Sequence, residues 1–214
     1  METSQTLRLT RVYYDPMKTT VPAILALALA GALARGSQDP PRTLSPEERS
    51  SAALHYFTDT QLVTQDNKKV RLYSDLLKGK TVVINSFFAT CQGSCPRMAA
   101  KLSALQSEFP GRLGNDLLLI SISVDPEMDT PERLKAYAEL HHAKPGWLFL
   151  TGKKENVEFA LYKLGQKVDR REDHLSLFII GNERTGLWKK AAAQVIQPDQ
   201  FREMVAGVLN DPGK

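Results

Sequence analysis

Thr81-Val82-Val83-Ile84-Asn85-Ser86-Phe87, followed four residues later by Cys91-Gln92-Gly93-Ser94-Cys95-Pro96, decides the reading of this chain. The first seven residues are β-branched and mostly apolar, the pattern of a strand covered on both faces. Cys91 and Cys95 are the only 2 cysteines in 214 residues, and they fall in the turn that leaves this strand. Beyond them Met98, Leu102, Leu105 and Phe109 recur at helical spacing until Pro110-Gly111 closes the run. A thiol pair therefore lies between a buried strand and the first turn of a helix. That is the carboxyl edge of a parallel sheet, where open α/β folds bind their ligands. With Cys95 in the first helical turn, both sulfurs can converge on one point. The helix's amino-terminal N–H groups are expected to favour thiolate, and Cys91 is expected to be the more exposed thiol.

Working outward, Leu117 to Val124 is a second buried strand. Thr130-Pro131-Glu132 opens a helix with a hydroxyl N-cap, Pro at the first helical position and an acid in the first turn. Trp147 to Leu150 reads as a short strand, and Val157, Ala160, Leu161 and Leu164 mark a helix closed by Gly165. His174 to Ile180 reads as a strand, turned at Asn182 to Gly186 into its partner Leu187 to Lys190, and Pro198 opens a last helix. Before the cysteines, Gln61 to Thr64 and Val70 to Tyr73 flank a turn at Asp66-Asn67, with a helical turn at Ser74 to Leu77. The alternation of strands and helices, ending in a hairpin and helix, predicts an α/β, thioredoxin-like fold with an N-terminal β-hairpin extension. No internal repeat is present.

The front of the chain carries a different signal. Met17-Lys18 precedes an apolar run, Val21 to Ala34, that ends in Ala32-Leu33-Ala34. This is the pattern of a secretory signal peptide over residues 1–34, with translation expected to start at Met17. Export, with a periplasmic location, follows; an uncleaved segment would instead anchor the domain to a membrane. Residues 35–56 begin RGSQDPPRTLSPEERS and read as a linker, which leaves 57–212 as the domain. The 28 basic and 24 acidic residues form no long run of one sign, and basic residues are not interleaved with aromatics, so nucleic acid is not an expected partner.

Two thiolates leave a soft metal undercoordinated, and copper(I) takes three ligands of thiolate or imidazole type. There are 4 histidines to consider. His55 is in the linker, and His141 and His142 suit a helix end, where a cation complements the dipole. His174 stands apart: it follows the charged loop Asp169-Arg170-Arg171-Glu172-Asp173 and opens the strand that in this fold runs beside the cysteine turn. Zinc with two sulfurs, one nitrogen and a water is the metal alternative, but its structural sites need a fourth protein ligand. The enzyme alternative is an exported thiol-disulfide oxidoreductase acting on a specific partner. Such enzymes use Cys-x2-Cys and a facing proline, whereas no proline occurs from Gly146 to Gln197. A peroxidase would need threonine and proline where Phe88 and Ile84 stand.

Three separated motifs, TCQGSCP, SISVDPEMDTPE and the pair Asp173-His174 before an apolar strand, resemble the Sco/SenC family over roughly residues 55–210. Those proteins are copper-binding, thioredoxin-like assembly factors for the binuclear copper site of cytochrome c oxidase. The resemblance implies copper held by Cys91, Cys95 and His174, with Cys91 and Cys95 also able to close as a redox disulfide. It implies a metallochaperone rather than an enzyme. Its partners would be the copper-site subunit of cytochrome c oxidase, a copper donor and a thiol reductase. Asp125, Asp129 and Asp173 are expected at the rim of the site. Gln92 and Leu175 depart from the family, which favours Pro after the first cysteine and a small or hydroxylated residue after the histidine.

Overall fold

A computed structural model describes residues 44–213; the predicted signal segment and residues 35–43 of the predicted linker lie outside them. Seven strands form one sheet: β1 (Gln61–Thr64), β2 (Lys69–Arg71), β3 (Thr81–Phe87), β4 (Leu117–Ser123), β5 (Trp147–Thr151), β6 (Leu177–Asn182) and β7 (Leu187–Ala192). Their order across the sheet is β2-β1-β5-β4-β3-β6-β7. β3, β4 and β5 are mutually parallel; β6 runs antiparallel to β3 and β7 to β6, while the β1–β2 hairpin pairs antiparallel with β5. The predicted thioredoxin-like architecture and its hairpin extension are both present.

Strands with helices on both sides need apolar residues in both phases of the two-residue period. Val83, Phe87, Leu117 and Leu119 face one core, shared with α2 (Cys95–Leu105), α3 (Pro131–Leu140) and α5 (Pro198–Leu209). Val82, Ile84, Leu118, Ile120 and Ile122 face the other, covered by α4 (Lys154–Lys163) and a π-helical turn at Leu72–Leu77. Asn85, Ser121 and Trp147 are paired across β3, β4 and β5. Ser121 Oγ donates to Asn85 Oδ1 at 2.7 Å and accepts from Trp147 Nε1 at 3.0 Å. Such satisfaction removes the cost of burying them. Chain entry into β5 depends on Gly146, at φ +101, where a Cβ would lie 2.3 Å from the Gly114 nitrogen.

Two elements differ from the sequence reading. Residues 46–56, assigned to a linker on composition, belong with Phe57 to the helix α1 (Pro46–Phe57). Ser45 caps it: its hydroxyl accepts from Glu48 N–H at 3.2 Å, and the Glu48 carboxylate accepts from Ser45 N–H at 2.9 Å. None of its residues is fully buried; Ala53 and Phe57 pack against the second core, too few to write an apolar stripe. The second difference concerns β6, which starts at Leu177, so His174 precedes the strand in a loop rather than opening it.

Candidate metal centre

The strand pairing places the site. Ile84 of β3 pairs with Ile179 of β6, and the two run in opposite directions, so the exit of β3 and the entry of β6 share one edge. The cysteines leave β3 at that edge and His174 approaches β6 there.

The cysteine half is fastened from below. Ala89 N–H donates to both carboxylate oxygens of Asp129, at 3.1 and 3.3 Å, and Ser123 Oγ donates to Asp129 Oδ2 at 2.5 Å. Asp129 is therefore not a rim residue, since it is 1% exposed and lies beneath the turn. Burial pushes its carboxyl above the usual range, against the pull of Ser123 and Ala89. Cys95 is the first residue of α2 and is buried in the first core, while Cys91 remains half-buried, as expected of the outer thiol.

The histidine half arrives on a loop. A single 3-10 turn, Arg171–Asp173, precedes His174, whose N–H donates to Arg171 O at 3.2 Å. Arg171 Nη1 donates to Asp125 Oδ2 at 2.5 Å, and the guanidinium lies 5.3 Å over the Phe88 ring. Phe88 in turn meets the His174 ring edge-on, with centroids 5.5 Å apart. Asp125 is thus a fastener of the histidine loop. Asp173, also expected at the rim, points into solvent and only approaches Arg170 at 3.9 Å, because the 3-10 turn carries it away from the site.

His174 Nε2 lies 3.2 Å from Cys95 Sγ, 3.8 Å from Cys91 Sγ and 3.4 Å from Ser94 Oγ. The donor atoms of Cys91, Cys95 and His174 all lie within 4.8 Å of one another, and no other such group occurs among the described residues. Donors about 2.0–2.3 Å from a shared first-row ion at tetrahedral angles sit roughly 3.3–3.8 Å apart, so the spacing fits one ion. The set is two sulfurs and an imidazole, which selects a soft or borderline metal over calcium or magnesium.

The charge state differs from the expectation of an activated thiolate. Burial first, then the neighbouring Cys91, pushes the Cys95 thiol far above its ordinary value. Desolvation outweighs the helix dipole here because the sulfur sits in the core under the helix start. Burial also lowers the pKa of His174, with the Leu175 backbone opposing, which leaves a neutral imidazole at pH 7. A metal ion would supply the positive charge that the site lacks, holding both sulfurs as thiolates. His141 caps the end of α3 and His55 lies in α1, so neither joins the centre.

Four neighbours of the site went unread in the sequence: Phe88, Ser94, Tyr137 and Arg171. Tyr137 is buried against Phe87 and Phe149, and burial together with the charge of the two cysteines raises its phenol pKa. Arg171 sat inside a charged loop, and Ser94 lay in the spacer between the two cysteines.

These features define a thioredoxin-like domain with a dithiol–imidazole centre at the carboxyl edge of its sheet. The sequence model described as SCO1/SenC matches residues 48–200, and the chain belongs to this family. It is 36% identical over 126 residues to the SCO1 protein homolog of Bacillus subtilis, covering 55% of this chain and 64% of that one. The chain spans roughly half to two thirds of the length of such curated relatives. A solved structure of BsSco, described as a member of the Sco family of cytochrome c oxidase assembly proteins with a disulfide switch, is 31% identical. It aligns with a TM-score of 0.58 over 71% of this chain and 91% of that one. Bradyrhizobium japonicum ScoI, solved with copper bound, is 26% identical, with a TM-score of 0.56 over 70% of this chain and 97% of that one.

Proposed function

We propose that this protein is an exported copper carrier that holds one ion between Cys91 Sγ, Cys95 Sγ and His174 Nε2 and passes it to the copper site of cytochrome c oxidase. The observation that carries the reading is the imidazole nitrogen within 3.8 Å of both sulfurs, on a neutral, buried ring. The soft donor set and the copper-bound relative support copper over zinc. Loading on Cu(I) forms two metal–sulfur bonds and one metal–nitrogen bond and releases the thiol protons to solvent. A disulfide between Cys91 and Cys95 has no thiolate to offer, so an exported pair needs a thiol reductase before a copper donor can load it. The half-buried Cys91 is the sulfur at which that exchange would begin.

Metal analysis of the reduced, purified chain tests this. One copper per chain is expected, with none in the Cys91→Ser/Cys95→Ser double variant. Full copper occupancy in the double variant would sink the reading. N-terminal sequencing from the native compartment tests export separately, with a mature end near Arg35 expected; an intact Met1 on soluble cytoplasmic protein overturns that part.

A further inference from the structure

Ser94 occupies the N-cap position of α2, where a serine normally turns its hydroxyl back to accept from the second or third N–H of the helix. Here it does not. Its backbone is already helical, at φ −81 and ψ −27, and its side chain makes no capping bond. Only its carbonyl serves the helix, accepting from Met98 N–H at 3.0 Å. The hydroxyl instead points to the donor face of the metal centre, 3.4 Å from His174 Nε2, on the same side as the two sulfurs. A nitrogen and an oxygen each about 2.0–2.1 Å from one ion lie about 3.3 Å apart at a tetrahedral angle and about 2.9 Å apart at a right angle, so a closure of about 0.5 Å brings the hydroxyl to tetragonal spacing.

We propose that Ser94 Oγ is a fourth donor that Cu(II) takes and Cu(I) leaves, so that this serine sets the oxidation-state preference of the site. The inference rests on the copper-carrier reading above. Its chemistry is that of the donors. Cu(I) is soft and is satisfied by two thiolates and an imidazole, whereas Cu(II) favours tetragonal coordination with nitrogen and oxygen donors. A neutral hydroxyl adds an oxygen without a further charge, at a place where the core side of the centre is closed by Cys95 and Phe88. The couple involved is a one-electron change at copper: the electron passes between the ion and a dissolved redox mediator, and the thiols remain reduced.

The reduced full chain, loaded anaerobically, allows a direct test. Cu(I) and Cu(II) affinities of wild type, Ser94→Ala and Ser94→Thr are measured by competition with chelators, and the copper potential by mediator titration. Ser94→Ala breaks no capping bond, so the helix should persist, and its melting curve checks this. Ser94→Ala is expected to weaken Cu(II) about tenfold with Cu(I) unchanged, raising the potential by about 59 mV, the one-electron equivalent of a tenfold change. Its Cu(II) electron paramagnetic resonance spectrum should change as well, and Ser94→Thr, which keeps the hydroxyl, should restore both. An unmoved potential and spectrum in Ser94→Ala overturn the inference and leave the carrier reading intact. Equal shifts in both affinities also overturn it, by making Ser94 a partner of the histidine alone. A wild-type chain that takes up no copper overturns the carrier reading and this inference together.

Discussion

The two segments that meet at the centre are held in opposite ways. The cysteine turn is fixed to the core: Cys95 is buried, and the buried carboxylate of Asp129 grips Ala89 two residues before Cys91. The histidine comes on a surface loop whose side-chain tie to β4's exit is the Arg171–Asp125 pair, with Arg171 41% exposed. One half is a preformed dithiol; the other is an arm that packing only partly restrains. A carrier must both hold and release its ion, and this division suits that task. In the proposed carrier the sulfurs would supply affinity, and movement of a single imidazole would open the coordination sphere to a recipient's ligands.

The comparison predicts a ranking of variants by their effect on Cu(I) affinity. Cys91→Ser and Cys95→Ser should lie at the top, each with a loss greater than the 10–100-fold typical of removing a supporting residue. His174→Ala should cost less than either, because two thiolates still form a linear Cu(I) site. Chelator competition on the reduced variants measures this directly. A larger loss from His174→Ala than from Cys95→Ser would show that the arm, and not the dithiol, is the anchor.

Next come the two fasteners. Asp129→Ala strands a buried N–H and a buried hydroxyl, at a cost of about 1–3 kcal/mol of stability, and should loosen copper by roughly tenfold through the displaced turn. Asp129→Asn should be far milder and should alter the pH dependence. The folded pKa of Asp129 is raised above its reference value of 3.8, so its contribution is fully present below that value and is lost as pH rises through the folded pKa. Relative to wild type, Asp129→Asn should therefore gain stability as pH rises from below 3.8 to neutrality, measured by denaturant titration at each pH. Arg171→Ala removes an ion pair whose arginine is 41% exposed and whose aspartate is 13% exposed, and should cost about 1 kcal/mol. It should weaken copper only severalfold while speeding its transfer to a chelator. Slower transfer in Arg171→Ala would break the idea of a restrained arm.

How much of this was legible in the sequence follows from the same division. β3, β4 and the cysteine turn were readable because burial on both faces writes itself as continuous Val, Ile and Leu, and because the paired cysteines stand alone. His174 was placed at the site correctly but for a partly wrong local reason, since Leu175 and Ser176 separate it from Leu177, where β6 starts. The roles of Asp125 and Asp129 were unreadable because each acts on a partner distant in sequence: Arg171 for one, Ala89 for the other. The protonated state of Cys95 was missed because a helix start announces its dipole in sequence, while the desolvation that overrides it depends on tertiary packing. In α1 the failure was different. The Ser-Pro-Glu-Glu start at residue 45 carries the same signature read correctly at Thr130, but polar composition outweighed it.

That helix supplies the smallest expected effect. Ser45→Ala removes one side of the capping box, which typically costs about 0.5–2 kcal/mol of helix stability. α1 meets the rest of the domain chiefly through Ala53 and Phe57, with Phe57 against Trp188 and Ser50 reaching the buried Glu183 carboxylate at 3.5 Å. Glu183 keeps its stronger partners without α1, accepting from Tyr73 at 2.7 Å and from Gly79 N–H at 2.7 Å. The first turn of α1 should thus fray without unfolding the sheet, because the lost cap stabilises a turn that has no buried side chain. Amide exchange in Ser45→Ala should rise for residues 46–50 and stay unchanged in β3 and β4, and copper affinity should match wild type. A copper affinity that falls with this variant would mean that α1 communicates with the site, and that the separation between the fastened half, the partly restrained arm and the remainder of the domain is drawn in the wrong place.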